Sequence, residues 1–147
     1  MRKLTILVMM VLFGISTSFA HDFTVGGIYY KRPYSGSTYV KVTYRGSNWY
    51  DYSNTYSGAV TIPSTVTYSG TTYNVTGIDD YAFYGSSGLT SITIPTSITS
   101  IGTSAFSSCT GLTKVNITDL ARWYNNITFT NTVSNPLYYA HHFIAVH

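Results

Sequence analysis

The chain has 147 residues, of which 16% are aromatic and only 9% charged, with eight Lys and Arg against five acidic residues. Two of the basic residues, Arg2 and Lys3, open the chain, so the remainder is almost neutral and carries no electrostatic footprint for nucleic acid or anionic lipid. All the acids are Asp and Cys109 is alone, which excludes an intramolecular disulfide framework and leaves stability to stacked apolar layers and backbone ladders.

In chain order, Arg2 and Lys3 are followed by an apolar run from Leu4 to Ile15 and then by Ser18-Phe19-Ala20, a small-x-small cleavage pattern. Residues 1–20 therefore read as a secretory signal peptide with cleavage after Ala20 and a mature start at His21. The run is shorter than the ~20 residues a bilayer span needs, so no membrane span is expected after cleavage. A secreted or cell-surface location follows.

Residues 21–58 alternate with period two and predict an antiparallel β cap. Phe23 to Val25 and Ile28 to Tyr30 flank Gly26-Gly27 as a hairpin, and Tyr39 to Tyr44 gives a second alternating run. Val60 to Pro63 repeats as Ile92 to Pro95, which places a first solenoid strand near 59–62, with Thr67 to Tyr73 as a hairpin-like insertion after it.

Residues 59–117 hold the dominant signal, a unit of about 23 residues that occurs twice in succession. Val75/Ile98, Ile78/Ile101, Ala82/Ala105, Phe83/Phe106, Leu89/Leu112, Ile92/Val115 and Ile94/Ile117 all coincide at one offset. A fixed period of this length predicts a mainly β, short leucine-rich solenoid of parallel strands, in which each unit buries its apolar face only against its neighbours. Ile92 and Ile94 are expected inside, Ser91 and Thr93 outside, and Phe83 and Phe106 in the core of the opposite turn. Gly88 and Gly111 are read as the places where the backbone turns back. Residues 118–147 lose the pattern. Asp119 reads as the N-cap of a short helix, Thr128 to Thr132 as extended, Asn135-Pro136 as a turn, and His141 to His147 as a last strand with Ile144 and Val146 on one face.

The pattern Ile-x-x-x-Ala-Phe, a small or Cys residue three positions later, then Leu-x-x-Ile-x-Ile-Pro, resembles the BspA-like leucine-rich-repeat family of bacterial surface proteins over residues 59–117. The segment from Asp119 through Trp123 and from Asn135 to His142 resembles a degenerate or connecting unit of such proteins, and Thr118 stands where the pattern expects Pro. Members usually carry further repeats, so the chain reads as a short or truncated member. The resemblance implies a non-enzymatic module that contacts a host protein or a neighbouring cell surface.

Chemistry-bearing residues are sparse. Asp79-Asp80 are replaced by Gly102-Thr103 in the second repeat and read as residues of a solvated turn. Adjacent His141-His142 on a strand would point to opposite faces, so no metal site and no cofactor are expected. Cys109 aligns with Ser86 and reads as a small buried side chain. No catalytic residues emerge. A possible binding face comprises Thr61, Ser91, Thr93, Lys114 and Asn116, the outward positions of successive strands, for which plain solvation of the sheet is the rival reading. The tyrosines of the cap (Tyr29, Tyr30, Tyr34, Tyr39, Tyr44, Tyr50, Tyr52 and Tyr56) are a second candidate surface, with Tyr50 and Tyr52 singled out for a glycan. Three functions remain open at this stage: a protein-binding adhesin-like module, a structural fragment that pairs edge to edge without a ligand of its own, and a Tyr-rich carbohydrate-binding module.

Overall fold

The computed structural model describes residues 20–50, 55–140 and 142–145, the last four by their backbone alone. Residues 1–19 of the segment 1–20 read as a signal peptide, Tyr52, His141, Val146 and His147 lie outside the described residues.

The cap forms around Gly26 (φ 58) and Gly27 (φ 76), both in the left-handed region that a two-residue primed turn requires. This turn joins β1 (Phe23–Val25) to β2 (Ile28–Lys31), which pairs antiparallel with β3 (Tyr39–Thr43). After β4 (Gly58–Thr61), the insertion is a hairpin of β5 (Thr65–Tyr68) and the N-terminal half of β6 (Thr71–Ile78), turning at Ser69 and Gly70. It is part of the cap's packing: Phe23 stacks flat on Tyr68 at 4.4 Å and lies 5.3 Å from Tyr73.

Beyond it the chain winds as a flattened coil. β7 (Leu89–Ile94), β8 (Ser100–Ile101) and β9 (Lys114–Ile117) lead to a short helix, α1 (Leu120–Asn126), then β10 (Thr128–Phe129) and β11 (His142–Ala145). Two sheets result. One is fully parallel in the order β11-β9-β7-β4, and the other runs β1-β2-β3-β6-β8-β10 with β5 on β6. β3 changes the pairing sense, since it is antiparallel to β2 but parallel to β6, and so feeds the hairpin cap directly into the solenoid ladder. Here the observed architecture is the mainly β solenoid with an antiparallel N-terminal cap that the repeat implied.

Between the sheets, Ile78, Ile92, Ile94, Ile98, Ile101, Leu89 and Leu112 are buried, as the alternation required. Phe83 and Phe106 stack face to face at 4.8 Å and 5°. Tyr56 continues this column toward the cap, 4.5 Å from Phe83. Its hydroxyl donates to Thr43 O (2.6 Å) and accepts from Tyr29 N–H, and burial pushes its ionisation far above the ordinary range. One side chain therefore ties β2, β3 and the aromatic column together.

Three details differ from the sequence reading. The first concerns the turns, where the left-handed positions are Tyr81 and Gly85 in the first repeat and Ser104 and Ser108 in the second. Gly111 instead permits close approach, because a Cβ there would collide with Ser87 O. In the tail, the strand reading for Thr128 to Thr132 holds only at Thr128–Phe129, and a 3-10 turn starts at Thr132. The parallel ladders also continue after Ile117 although the sequence pattern does not: β10 pairs with β8 and β11 with β9. Asp119 caps α1 by accepting Arg122 N–H at 2.9 Å, and this helix buries Trp123 against Phe129.

Candidate functional site

The parallel sheet determines the first candidate surface. Its register sets Thr61 beside Thr93 and Thr93 beside Asn116, and likewise Ala59 beside Ser91 and Ser91 beside Lys114. The backbone of β11 extends the two rows at Ile144 and His142. Neighbours within a row are about 4.8 Å apart, the strand spacing of any sheet. All five sequence-derived positions thus occupy one outward face. Thr61 and Lys114 are exposed, while Ser91, Thr93 and Asn116 are half-buried. Asn116 Nδ2–H donates to Thr93 Oγ1 at 3.1 Å, which holds two members of the row in a fixed orientation. Among these side chains only Lys114 is charged. The surface offers short hydrogen-bonding groups in register with a single cation at one side.

The tyrosines divide sharply. Tyr30 and Tyr56 are buried at 1% and 3% exposure, so they belong to the core and not to a binding surface. Tyr29, Tyr39 and Tyr44 are half-buried, and Tyr34 and Tyr50 are exposed. Tyr50 meets Trp49 edge-on at 5.6 Å. Trp49 lies flat on Tyr81 at 4.4 Å and 13°, and Tyr84 stands at 79° to it, 4.7 Å away. Trp49, Tyr81 and Tyr84 were not singled out by the sequence reading. The available signal was that Tyr81 and Tyr84 stand where the second repeat has Ser104 and Ser107.

The acidic pair is more structural than a plain solvated turn. Asp80 Oδ1 accepts Thr103 N–H at 2.6 Å, bridging successive coils, and Asp79 lies 3.9 Å from Lys31 Nζ. Cys109 is fully buried with its thiol donating to Phe83 O at 3.0 Å. Burial pushes that thiol up to about 12, against a smaller opposing effect of the Ser86 backbone N–H, so it is protonated and unreactive at neutral pH. Among the described residues no three His, Cys, Asp or Glu side chains converge as a metal site. No helix among them is long and apolar enough to cross a membrane.

The BspA type leucine rich repeat region matches residues 46–140 in six copies. The chain belongs to this family. The BspA-type match begins inside the stretch read as cap and runs through the segment where the sequence pattern fades, in keeping with the unbroken ladders there. Among solved structures, a leucine-rich repeat protein from Bacteroides ovatus is 31% identical with a TM-score of 0.54 over 66% of this chain. The match covers 24% of that protein, so this chain spans about a quarter of its length. A leucine-rich repeat protein from Bacteroides capillosus shares the fold at 22% identity and a TM-score of 0.54, covering 85% of this chain and 98% of its own. No curated protein matches the chain.

Proposed function

We propose that this BspA-type chain is an exported, non-enzymatic module that binds a protein on a host or neighbouring cell through the outward face of the β11-β9-β7-β4 sheet. The observation that supports it most is the register of Thr61, Thr93 and Asn116 beside Ser91 and Lys114, which presents polar groups in two rows on a rigid sheet. Solenoids recognise partners through such stacked strand positions, because each coil adds one residue to a continuous surface. Export is supported by the Arg2-Lys3 start, the Leu4 to Ile15 run and the Ser18-Phe19-Ala20 pattern.

The test is binding of the purified protein to intact epithelial cells and to intact bacteria, each before and after trypsin shaving of the cell surface. Saturable binding that trypsin abolishes is expected, and Thr93→Lys with Asn116→Lys should weaken it at least tenfold with an unchanged melting curve. The two long side chains would stand in register on that face and displace the short hydroxyl and amide groups, leaving the partner's hydrogen-bonding groups unpaired. Absence of binding to any cell, binding that survives trypsin, or full binding by the double variant would each overturn this reading and favour a structural fragment without a ligand.

A further inference from the structure

The aromatic cluster at the first Ala-Phe turn is separate from the strand face and has a property that the fold does not require. Tyr81 has φ 57, in the left-handed region that a bulky side chain adopts only under strain. In the second repeat the same turn, with the same left-handed residue, is made by Ser104 at φ 50. Tyr84 likewise corresponds to Ser107. The turn thus folds with serines, and the first coil carries two tyrosines in their place.

Those tyrosines gather Trp49 and Tyr50 from the segment that follows β3. Trp49 is stacked flat on Tyr81, and Tyr50 and Tyr84 stand at 86° and 79° to its plane. Tyr50 is 60% exposed, and Trp49, Tyr81 and Tyr84 are each only partly covered. The result is an aromatic ledge with upright edges on a folded, rigid turn. The parallel pair, Trp49 and Tyr81, is in contact, so it does not form the slot between spaced rings that a polyproline helix needs. A pyranose ring is the better complement. Its patch of polarised C–H groups packs on an aromatic ring, and its hydroxyls reach the phenolic edges.

Charge narrows the class further. Asp80 directly precedes Tyr81 and is held at the turn by Thr103 N–H, so although Lys31 pairs with Asp79, a carboxylate stands beside the ledge; with Asp79 it also adds to the burial that raises Tyr44. An acidic sugar would be repelled there.

We propose that Trp49, Tyr50, Tyr81 and Tyr84 form a binding site for neutral pyranose units of a polysaccharide. The site is independent of the strand face, so the module would hold a glycan and a protein at once.

Affinity electrophoresis of the purified protein tests this, with xyloglucan, galactomannan, laminarin or dextran in the gel as neutral probes and polygalacturonate or alginate as acidic ones. Retardation by at least one neutral polysaccharide and by neither acidic one is expected. Tyr81→Ser with Tyr84→Ser should reduce retardation at least tenfold, and Trp49→Ala should do the same. The serine pair copies the second repeat and keeps the turn, so its melting temperature should not fall. Thr93→Lys with Asn116→Lys should leave retardation unchanged, which separates this site from the protein-binding face. No retardation by any neutral probe, equal retardation by the acidic ones, or undiminished retardation of the serine pair would overturn the proposal. So would retention of a proline-rich peptide in place of the polysaccharides.

Discussion

The two clear repeats, residues 75–94 and 98–117, have one backbone and two surfaces. Their turns are superimposable in hydrogen bonding: Ala82 N–H to Asp79 O matches Ala105 N–H to Gly102 O at 3.3 Å, and Leu89 N–H to Ser86 O matches Leu112 N–H to Cys109 O at 3.0 Å. The left-handed residues match as well, Tyr81 with Ser104 and Gly85 with Ser108. The inward side chains are alike in place and size, with the exchanges Val75/Ile98, Ile92/Val115 and Ser86/Cys109, because each fills a fixed slot between the sheets. Outward, the copies diverge, with Tyr81, Tyr84 and Ser91 facing Ser104, Ser107 and Lys114. Because the coil tolerates either set, the outward differences are the part of the sequence that stability leaves free, which is why both proposed surfaces are drawn from it.

The comparison breaks most visibly at the aromatic column. Phe83 has a ring on each side, Tyr56 at 4.5 Å and Phe106 at 4.8 Å, and both Phe83 and Phe106 are fully buried. Truncating either to Ala should cost about 3–5 kcal/mol through lost burial and a cavity. Phe83→Ala should cost roughly 0.5–1.5 kcal/mol more than Phe106→Ala, the worth of one additional aromatic contact. Urea denaturation of the two variants measures the difference. Equal losses would mean that Tyr56 merely covers the column without adding to it.

What the sequence made legible was the inward half of each coil. Period and alternation are imposed by burial, so Ile92, Ile94 and Phe83 could be placed by counting alone. The Gly26-Gly27 turn and the Asp119 cap were legible for a local reason, since few residue types suit those positions. The third coil was legible as a degenerate unit with a last strand, and its ladder positions were not, because its length changes: Thr130 bonds Ile101 at a separation of 29 residues, against 23 for Thr113 and Thr90. Phe129 then stands in register with Ile101 and Phe143 with Val115, yet backbone pairing is indifferent to side-chain identity and the ladders continue. The tyrosines were ambiguous because Tyr suits core and surface equally well. Tyr56 is fixed inside by Thr43 O, 13 residues earlier and too far along the chain to form a pattern, whereas Tyr50 is left outside beside its neighbour Trp49. For the strand face, the alignment of Thr61, Thr93 and Asn116 followed directly from the period, but no property of the sequence says what lies on it.

A second break separates Ser86 from Cys109. Ser86 Oγ accepts Tyr56 N–H at 3.3 Å, whereas the Cys109 thiol donates to Phe83 O and faces the Ser86 backbone N–H. Cys109→Ser should therefore place a more polar hydroxyl in a fully buried slot shaped for sulfur and cost about 1–2 kcal/mol. The thiol also links stability to pH. Its folded value, about 12, lies above the ordinary 9.0. The contribution is complete below pH 9 and is lost as pH rises from 9 toward 12, because the unfolded chain releases the proton first. Cys109→Ala should remove that alkaline slope in melting curves taken across the same range. A slope that persists in the variant would assign it to the tyrosines.

The smallest effect tests whether the two turns are equivalent at the residue where their needs coincide. Gly85 and Ser108 have φ 63 and 61, and only the first is a glycine. A side chain in the left-handed region costs roughly 1–2 kcal/mol, while glycine loses about 0.5–1 kcal/mol more entropy on folding. The net gain expected for Ser108→Gly is about 0.5 kcal/mol, and Gly85→Ser should lose a similar amount. Ser108 is exposed, so no packing contact confuses the measurement. If chemical denaturation shows Ser108→Gly to be destabilising, the serine hydroxyl is serving the second turn in a way the first turn does without, and the backbones, though alike in dihedral angle, are held by different means.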